Sequence, residues 1–141
     1  MGARAAPDRG SVLTLYVLDS TVLIGFLRDT PSIAVDLRQK LAAGHTLATT
    51  CVNVAEVERG LRPRERGRAS VFLDRLRFLV TGPEAARRAG RYQAEWAKRG
   101  RTIHTPDALV AGTARAYGAV LLTHNVADFP MRDVRIEAPS P

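Results

Sequence analysis

Short apolar segments that alternate with longer amphipathic ones are the feature that most constrains how this chain can fold. Apolar runs of this length suit strands that are buried on both faces, and the segments between them carry apolar residues at helical spacing. Strands separated by helices form a parallel sheet with right-handed crossovers and helices on both faces. The alternation therefore predicts a three-layer α/β/α fold around a parallel sheet of four to five strands.

The predicted elements follow from these patterns and from the glycines and prolines that interrupt them. Strands are predicted over Leu13–Leu18, Thr46–Thr50, Phe78–Thr81, Ala119–Thr123 and, as an edge strand, Val134–Ile136. Helices are predicted over Thr21–Arg28, Pro31–Ala43, Val52–Leu61, Ala69–Leu76, Pro83–Arg99 and Thr105–Tyr117. Residues 1–11 show no periodicity and are predicted to be a disordered tail, whereas residues 12–141 are predicted to form a single domain.

Chain length and cysteine usage limit the class of protein. A chain of 141 residues is the usual size for one domain with one core. No apolar run reaches the roughly 18 residues that a membrane helix needs, and the N-terminal stretch has no apolar centre of the kind a secretory signal carries. We therefore expect a cytoplasmic protein without membrane contact. The single cysteine, Cys51, has no partner for a disulfide or a zinc site and is expected to lie in or near the core.

The positive charge of the chain is concentrated in its middle. The formal net charge is +7, and the segment Arg59–Arg101 holds 13 of the 21 Lys and Arg residues but only 4 of the 14 Asp and Glu residues. Such a balance indicates a polyanionic partner, and its alternative is an arginine-rich surface that only contacts solvent. If the partner is a nucleic acid, a basic stripe that includes Arg59, Arg62, Arg87 and Arg91 is predicted to hold its phosphates.

Two aspartates stand where a parallel sheet forms its sites. Asp19 follows directly on the first predicted strand, which places it at the carboxyl edge of the sheet, where such folds bind their ligands. Asp107 opens a helix after Pro106, with Thr105 as a candidate N-cap. Each aspartate also has a purely structural interpretation, because Asp19 could cap a helix and the helix dipole stabilises Asp107 by roughly 0.3–1 kcal/mol.

Glu56 and the segment after the last core strand supply further candidates. Glu56 lies at the border of the apolar face of its predicted helix, and its structural alternative is an ion pair with Arg59. Thr123, Asn125 and Asp128 follow the last core strand and should reach the edge that holds Asp19, although Asn and Asp are also common turn residues.

Four stretches of the chain together resemble the signatures of PIN-domain ribonucleases, most closely the toxin subunits of VapBC toxin–antitoxin pairs. In chain order they are Tyr16–Ile24, Val54–Gly60, Thr105–Ala114 and Leu122–Phe129. The resemblance covers essentially residues 14–137 and implies a PIN-like α/β/α fold, a homodimer and a tightly bound antitoxin. It also implies that Asp19, Glu56 and Asp107 are catalytic metal-site residues.

The fourth acid and the residues after the first acid depart from the family pattern. Some relatives carry an acid where this sequence has Asn125, so either Asp128 supplies the fourth charge or Asn125 supplies a neutral ligand. Ser20 and Thr21 stand where the family usually has Thr followed by Asn or Ser, which keeps hydroxyl groups at both positions. Ser20, Thr21, Thr123 and Asn125 are therefore expected to support the site.

The chemistry of clustered carboxylates leads to the same function. Two carboxylates at 4 Å repel by about 4 kcal/mol at an effective dielectric of 20, so three or four of them need a cation to remain ionised. Oxygen ligands without Cys or His select Mg²⁺, with Mn²⁺ as a substitute, and such an ion promotes phosphodiester hydrolysis. This chemistry agrees with the resemblance, which implies a Mg²⁺-dependent endoribonuclease that acts on RNA as the toxin of a type II toxin–antitoxin pair.

Three other interpretations compete with this one. A PIN-domain nuclease could process RNA without being a toxin. A receiver-like signalling domain is excluded, because no Asp ends a middle strand and no Lys follows the last strands. A basic RNA-binding domain without catalysis should present stacked aromatic residues, yet only 6% of the residues are aromatic and they are scattered.

Overall fold

The computed structural model describes residues 12–141, so the predicted disordered tail over residues 1–11 lies outside the described residues. One sheet contains five strands in the order β3-β2-β1-β4-β5, and every neighbouring pair is parallel. The parallel sheet is confirmed at the upper end of the predicted strand number. Its strands are β1 (Leu15–Leu18), β2 (Thr46–Thr50), β3 (Arg77–Leu79), β4 (Val120–Leu122) and β5 (Arg135–Glu137).

Six α-helices connect these strands within the described residues, and each lies where the sequence predicts one. Their bounds differ from the predicted bounds by three residues at most, at the start of α4. Gly118 ends α6 in the left-handed conformation with φ of 64°, as glycine commonly does after a helix. The helices are α1 (Ser20–Leu27), α2 (Pro31–Ala42), α3 (Cys51–Gly60), α4 (Arg66–Asp74), α5 (Pro83–Ala97) and α6 (Thr105–Tyr117).

Successive residues of the central strands point to opposite faces of the sheet, and both faces are covered. Val17 and Leu121 belong to a core that is closed by α5 and α6. Leu18 and Leu122 belong to a second core that is closed by α1, α2 and α3, with side chains of α4 packed against it. All four side chains are fully buried, so the predicted three-layer arrangement is confirmed.

Small residues let α6 approach α5 very closely. A Cβ atom at Gly112 would lie 2.4 Å from the carbonyl oxygen of Ala85, and Ala108, Ala111 and Ala114 are fully buried in the same core. At Gly112 the closest neighbour of α6 is therefore the backbone of α5. Because this packing leaves little freedom, it fixes the N-terminus of α6 at the carboxyl edge of the sheet.

The expectation that Cys51 lies in the core is wrong. Cys51 is exposed because it is the first residue of α3, just beyond the carboxyl end of β2, and its Sγ atom lies 3.6 Å from Oγ1 of Thr81.

The length and composition of the helices bear on membrane insertion. None of the helices within residues 12–141 is both long enough and apolar enough to cross a membrane.

Candidate metal centre

The ends of β1 and β4 bring Asp19 and Thr123 together. Leu18 and Leu122 are partners in the parallel register, so the residues that follow them are neighbours, and the Asp19 backbone N–H donates to the Leu122 carbonyl at 2.9 Å. The Thr123 hydroxyl donates to Oδ2 of Asp19 at 2.7 Å. Asp19 is only 6% exposed, so its carboxylate depends on protein groups for solvation.

The side chain of Asp19 does not cap a helix. Asp19 does occupy the N-cap position of α1, but its carboxylate makes no cap hydrogen bond. Its two oxygens instead accept from Thr123 and from Nδ2 of Asn53, the latter at 3.1 Å. The structural alternative for Asp19 is therefore wrong with respect to the side chain, which is held in place at the carboxyl edge of the sheet.

Asn53 is a site residue that the sequence did not predict. Its side chain is fully buried, and its Oδ1 accepts from the Thr50 hydroxyl at 2.8 Å. Its Nδ2 donates to Asp19 and also to Oγ of Ser20, both at 3.1 Å. The available signal was the position of Asn53 one helical turn before Glu56, because residues three apart lie on the same helix face.

Glu56 joins the same network through Ser20. The Ser20 hydroxyl donates to Oε1 of Glu56 at 2.5 Å, and it also accepts from Asn53. No ion pair between Glu56 and Arg59 occurs in the part of the chain that the structure describes. The structural alternative for Glu56 is therefore wrong, and Glu56 turns toward the carboxyl edge of the sheet.

Asp107 faces the other acids from the first turn of α6. Its pKa is raised to about 6, first by burial and then by the negative charges of Asp19, Asp128 and Glu56. The predicted N-cap Thr105 is instead the first residue of the helix, and His104 occupies the cap position without a side-chain cap bond. The helix dipole alone would lower the pKa of Asp107. Because the pKa is raised instead, burial and repulsion outweigh the helix dipole.

Burial also raises the pKa of Asp19, and the charge of Glu56 adds to this effect, whereas the hydrogen bonds from Thr123, Ser20 and Asn53 oppose it. Within residues 12–141 no three side chains of Asp, Glu, His or Cys converge closely enough to ligate one ion together. The donors are carboxylate oxygens that repel one another across a partly buried opening. This set fits a hard cation that one or two carboxylates bind directly and water molecules surround, as is usual for Mg²⁺.

The loop after β4 brings Asp128 near the other acids. Asp128 ends a 3-10 turn over Val126–Asp128, and its charge reaches Asp107. Asn125 is exposed, and its backbone N–H donates to the Thr123 hydroxyl at 3.0 Å. Thr21 accepts from the His124 backbone N–H at 3.2 Å. Thr21 and Thr123 thus fix the loop. The charge of Asp128 acts on Asp107, and the choice between Asp128 and a neutral ligand from Asn125 stays a prediction.

The four arginines of the predicted basic stripe are exposed and fall into two groups. Arg59 lies on α3 and Arg62 follows it, next to a groove between α1, α3 and α4. Arg87 and Arg91 lie on α5, and Arg91 lines a separate cleft on that helix. Contact between RNA and either group stays a prediction.

Comparison with known proteins identifies the family. The sequence model of the PIN domain matches residues 16–132. The chain belongs to the PIN-domain family. Ribonuclease VapC19 of Mycobacterium tuberculosis is 30% identical to this PIN-domain chain over 117 residues, which cover 83% of the chain and 94% of the relative. Ribonuclease VapC2 of Rickettsia felis is 24% identical over 120 residues, which cover 82% and 90% of the two proteins.

Solved structures agree with this assignment. The DNA-bound VapBC complex from Salmonella typhimurium contains a chain with a TM-score of 0.77 and 26% identity, which covers 92% of the PIN-domain chain and 100% of the neighbour. VapBC2 from Rickettsia felis, bound to a DNA fragment from its promoter, gives a TM-score of 0.80 at 23% identity, with coverage of 89% and 98%. The predicted PIN-like fold and the resemblance to VapC toxins are confirmed, while the roles of individual residues stay predictions.

Proposed function

We propose that this PIN-domain chain is a metal-dependent endoribonuclease that hydrolyses phosphodiester bonds of RNA in the cytoplasm. We further propose that it is the toxin of a type II toxin–antitoxin pair. The observation that carries the enzymatic proposal is the hydrogen-bond network of Asn53 and Ser20 that holds Asp19 and Glu56 at one sheet edge. Asp107 lies near enough for the charges of Asp19, Asp128 and Glu56 to help raise its pKa to about 6. Independent helix caps would not repel one another in this way.

The cofactor we propose is Mg²⁺, with Mn²⁺ as a substitute. The candidate ligands offer only carboxylate oxygens, which these hard ions prefer over softer metals. Asp19 and Asp107 would hold the ion, and Glu56 and Asp128 would hold the water molecules around it. When bound, the ion makes a water molecule a better nucleophile and stabilises negative charge on the phosphate and on the leaving oxygen.

The remaining groups of the chain prepare the site for this chemistry. Thr123 and Asn53 fix both oxygens of Asp19, so the carboxylate needs no rearrangement when a cation arrives. Ser20 orients Glu56 by donating to Oε1. With a pKa of about 6, Asp107 is mostly ionised near pH 7, and a bound cation would favour the ionised form further.

The names of the relatives support the proposed biology. Relatives from Mycobacterium tuberculosis and Rickettsia felis are named ribonucleases, and the solved neighbours are VapBC complexes, some of them bound to DNA. We infer that this chain also forms a homodimer and binds a cognate antitoxin that blocks its activity. An RNA-processing nuclease that is not a toxin would use the same site, whereas a binding module without catalysis would not need converging acids.

Cleavage of a single-stranded or structured RNA in the presence of Mg²⁺, Mn²⁺ or excess EDTA tests the enzymatic proposal. Asp19→Asn and Asp107→Asn should each abolish cleavage while leaving the circular dichroism spectrum unchanged. Asp74→Asn, an exposed substitution at the end of α4, is the matched control and should cleave at the wild-type rate. Wild-type cleavage that persists in EDTA would refute the metal site.

Growth arrest on induced expression, with Asp19→Asn as the inactive control, tests the toxin role.

A further inference from the structure

A basic and aromatic cleft lies on the outer flank of α5. It has a volume of about 480 Å³ and is formed by the second half of α5 and by the loop that leads from the 3-10 turn to β5. Its chemistry comes from Arg91 and Trp96 on the helix, from Arg99 just after the helix and from Arg132 on the loop, all of which line the cleft. The proposed metal centre uses none of these residues.

Three arginines of the cleft form no ion pair within the described residues. The aspartate of the cleft, Asp133, is already engaged, because it pairs with Arg88 and Arg115 at 3.4 Å and accepts from the Tyr92 hydroxyl at 2.8 Å. By contrast, Arg91, Arg99 and Arg132 have no carboxylate within 4.0 Å in the described chain. The other acid that lines the cleft is Glu95. The cleft therefore has a net positive charge available to an anionic ligand.

The aromatic residue of the cleft is the single tryptophan of the chain. Trp96 is half-buried, since it packs against the core between the sheet and α5. The Arg99 guanidinium lies over the indole ring, with its central carbon 4.6 Å from the ring centroid. A guanidinium plane above an indole plane forms a stack that a nucleobase can extend, because both planes offer π faces.

The cleft lies close to Asp128 of the acidic cluster. Met131 lines the cleft and follows Asp128 by three residues, so their Cα atoms are at most about 11 Å apart. Arg101, just after α5, donates from Nη2 to the carbonyl oxygen of Ala127 and ties the end of this helix to the 3-10 turn of Asp128. A polymer whose phosphate reaches the acids can therefore place a neighbouring nucleotide in the cleft.

We propose that this cleft binds a nucleotide of single-stranded RNA next to the bond that is cut. Arg91 and Arg132 hold the phosphate, and the base stacks on the pair formed by Arg99 and Trp96. This subsite rests on the proposed function, since it takes RNA as the substrate. The stacked planes favour a nucleotide over an acidic peptide, which would need only the charges.

The fluorescence of Trp96 reports directly on this binding, and it needs no catalysis. The full-length protein is titrated with a short oligouridylate in EDTA, with excitation selective for tryptophan. We expect saturable quenching that weakens with salt. Arg91→Ala and Arg132→Ala should each reduce the salt slope of log K by about 0.7, the value for one single-strand phosphate contact. Arg38→Ala, an exposed arginine on α2 in the opposite layer, should change neither affinity nor slope.

A second variant pair tests stacking independently of the probe. Binding of end-labelled oligouridylate is followed by fluorescence anisotropy, and Trp96→Ala should weaken it by about tenfold or more, whereas Trp96→Phe should retain most of the affinity. Thermal melts show whether each variant is folded. A Trp96→Phe variant that binds as weakly as a folded Trp96→Ala variant would contradict a stacked base.

Two further outcomes would overturn the proposal. One is RNA binding without a change in Trp96 fluorescence, together with unchanged affinity in the Arg91 and Arg132 variants. The other is quenching by polyglutamate but not by oligouridylate, which would assign the cleft to an acidic peptide. The cleavage assay keeps this question separate from the proposed function. Metal-dependent cleavage with an unchanged KM in the Arg91 and Arg132 variants refutes the cleft alone, whereas quenching by RNA in a protein that never cleaves refutes the nuclease alone.

Discussion

Asp107 is the residue whose protonation should couple most strongly to folding in the absence of metal. Its pKa is raised to about 6, first by burial and then by Asp19, Asp128 and Glu56. A carboxyl group with a higher pKa in the folded than in the unfolded state stabilises the fold below its unfolded pKa, near 4, and this stabilisation is lost as the pH rises through about 6. We expect Asp107→Asn to remove this loss, so that the variant equals or exceeds the wild-type stability at pH 7 without metal.

Thermal melts between pH 4.5 and 7.5, in EDTA and in Mg²⁺, check this expectation. Wild type at a hundredfold excess of Mg²⁺ over Kd should gain about 2.7 kcal/mol, and Asp107→Asn should gain much less. Asp74→Asn serves as the control with a wild-type response. A less stable Asp107→Asn variant at pH 7 in EDTA, combined with a wild type that ignores Mg²⁺, would refute the convergence of these acids.

Among the neutral residues of the site, Asn53 is the one whose substitution we expect to lower the stability of the protein most. Asn53→Ala removes the amide donor to the buried Asp19 carboxylate and the acceptor of the Thr50 hydroxyl proton, and it should lower the free energy of unfolding by about 1–3 kcal/mol. Asn53→Asp keeps the shape but brings a second carboxylate against Asp19. In EDTA its destabilisation should therefore grow between pH 4 and pH 7, while that of Asn53→Ala should change little.

Urea denaturation of both variants at the two pH values distinguishes a hydrogen-bonding role from simple packing. Asn125→Ala, which removes an exposed amide side chain that has no cap bond, is the control and should stay within about 0.5 kcal/mol of wild type. Equal pH dependence for Asn53→Asp and Asn53→Ala would contradict a direct contact between residue 53 and the Asp19 carboxylate.

The sequence predicted the acids of the site better than the contacts between them. Asp19 and Thr123 could be placed because residues that directly follow parallel strands meet at one edge. Glu56 and Asp107 were supported chiefly by resemblance to a family, since their own positions suited an ion pair and a helix start equally well. The roles of Asn53 and Ser20 depend on side-chain directions across 33 positions of separation, which no local pattern encodes.

At the scale of elements, the packing of α5 on α6 decides how firmly Asp107 is held. Gly112→Ala would place a methyl group 2.4 Å from the Ala85 carbonyl oxygen, so the helices must separate, and we expect a destabilisation of about 1–3 kcal/mol. Gly90→Ala on α5 meets no atom within 4 Å and should stabilise the protein by about 0.5–1 kcal/mol.

Melts of these two variants give a matched pair, because both glycines lie in helices and receive the same methyl group. Opposite signs are expected. A Gly112→Ala variant that gains stability like Gly90→Ala would show that α6 can move away from α5 at no cost. The metal response of Gly112→Ala should weaken as well, since α6 positions Asp107.

The elements themselves were predictable because each leaves a strong local signal. Central strands are short and largely apolar, and glycines stop the helices, so the predicted bounds lie close to those observed. Exposure at element ends was harder to predict. Cys51 was assigned to the core because cysteine is usually buried, but the boundary between β2 and α3 carries it into solvent.

At the scale of the whole molecule, the proposed function requires the basic charge and the acidic cluster to bind one polyanionic substrate. Arg87 and Arg91 lie on α5, the helix that packs against α6, and both are exposed. Reversing both charges with Arg87→Glu and Arg91→Glu should weaken RNA binding and lower the salt slope of log K by about 0.7 for each phosphate that the protein no longer neutralises. Arg38→Glu reverses a single charge on α2, which is half the charge change of the double variant, and should alter the slope by much less than half as much.

Equilibrium binding of a labelled single-stranded RNA at several salt concentrations, in EDTA, makes the comparison. The same assay on Arg59→Glu and Arg62→Glu decides whether the group beside α3 also binds RNA. A slope change in the α5 double variant that is only twice that of Arg38→Glu would mean that only the overall charge of the protein matters.

The hydrogen bond between Thr123 and Asp19 joins residues that are 104 positions apart. During translation, Asp19, Asn53 and Glu56 therefore leave the ribosome well before α6 and β4, which bring Asp107 and the hydroxyl partner of the Asp19 carboxylate. A nascent chain that stops before α6 contains half of the acidic cluster and lacks the threonine that orients it. With the proposed site, such a ribonuclease should be inert while it is being made, and the cell that synthesises it should meet an active enzyme only after the last strands have joined the sheet.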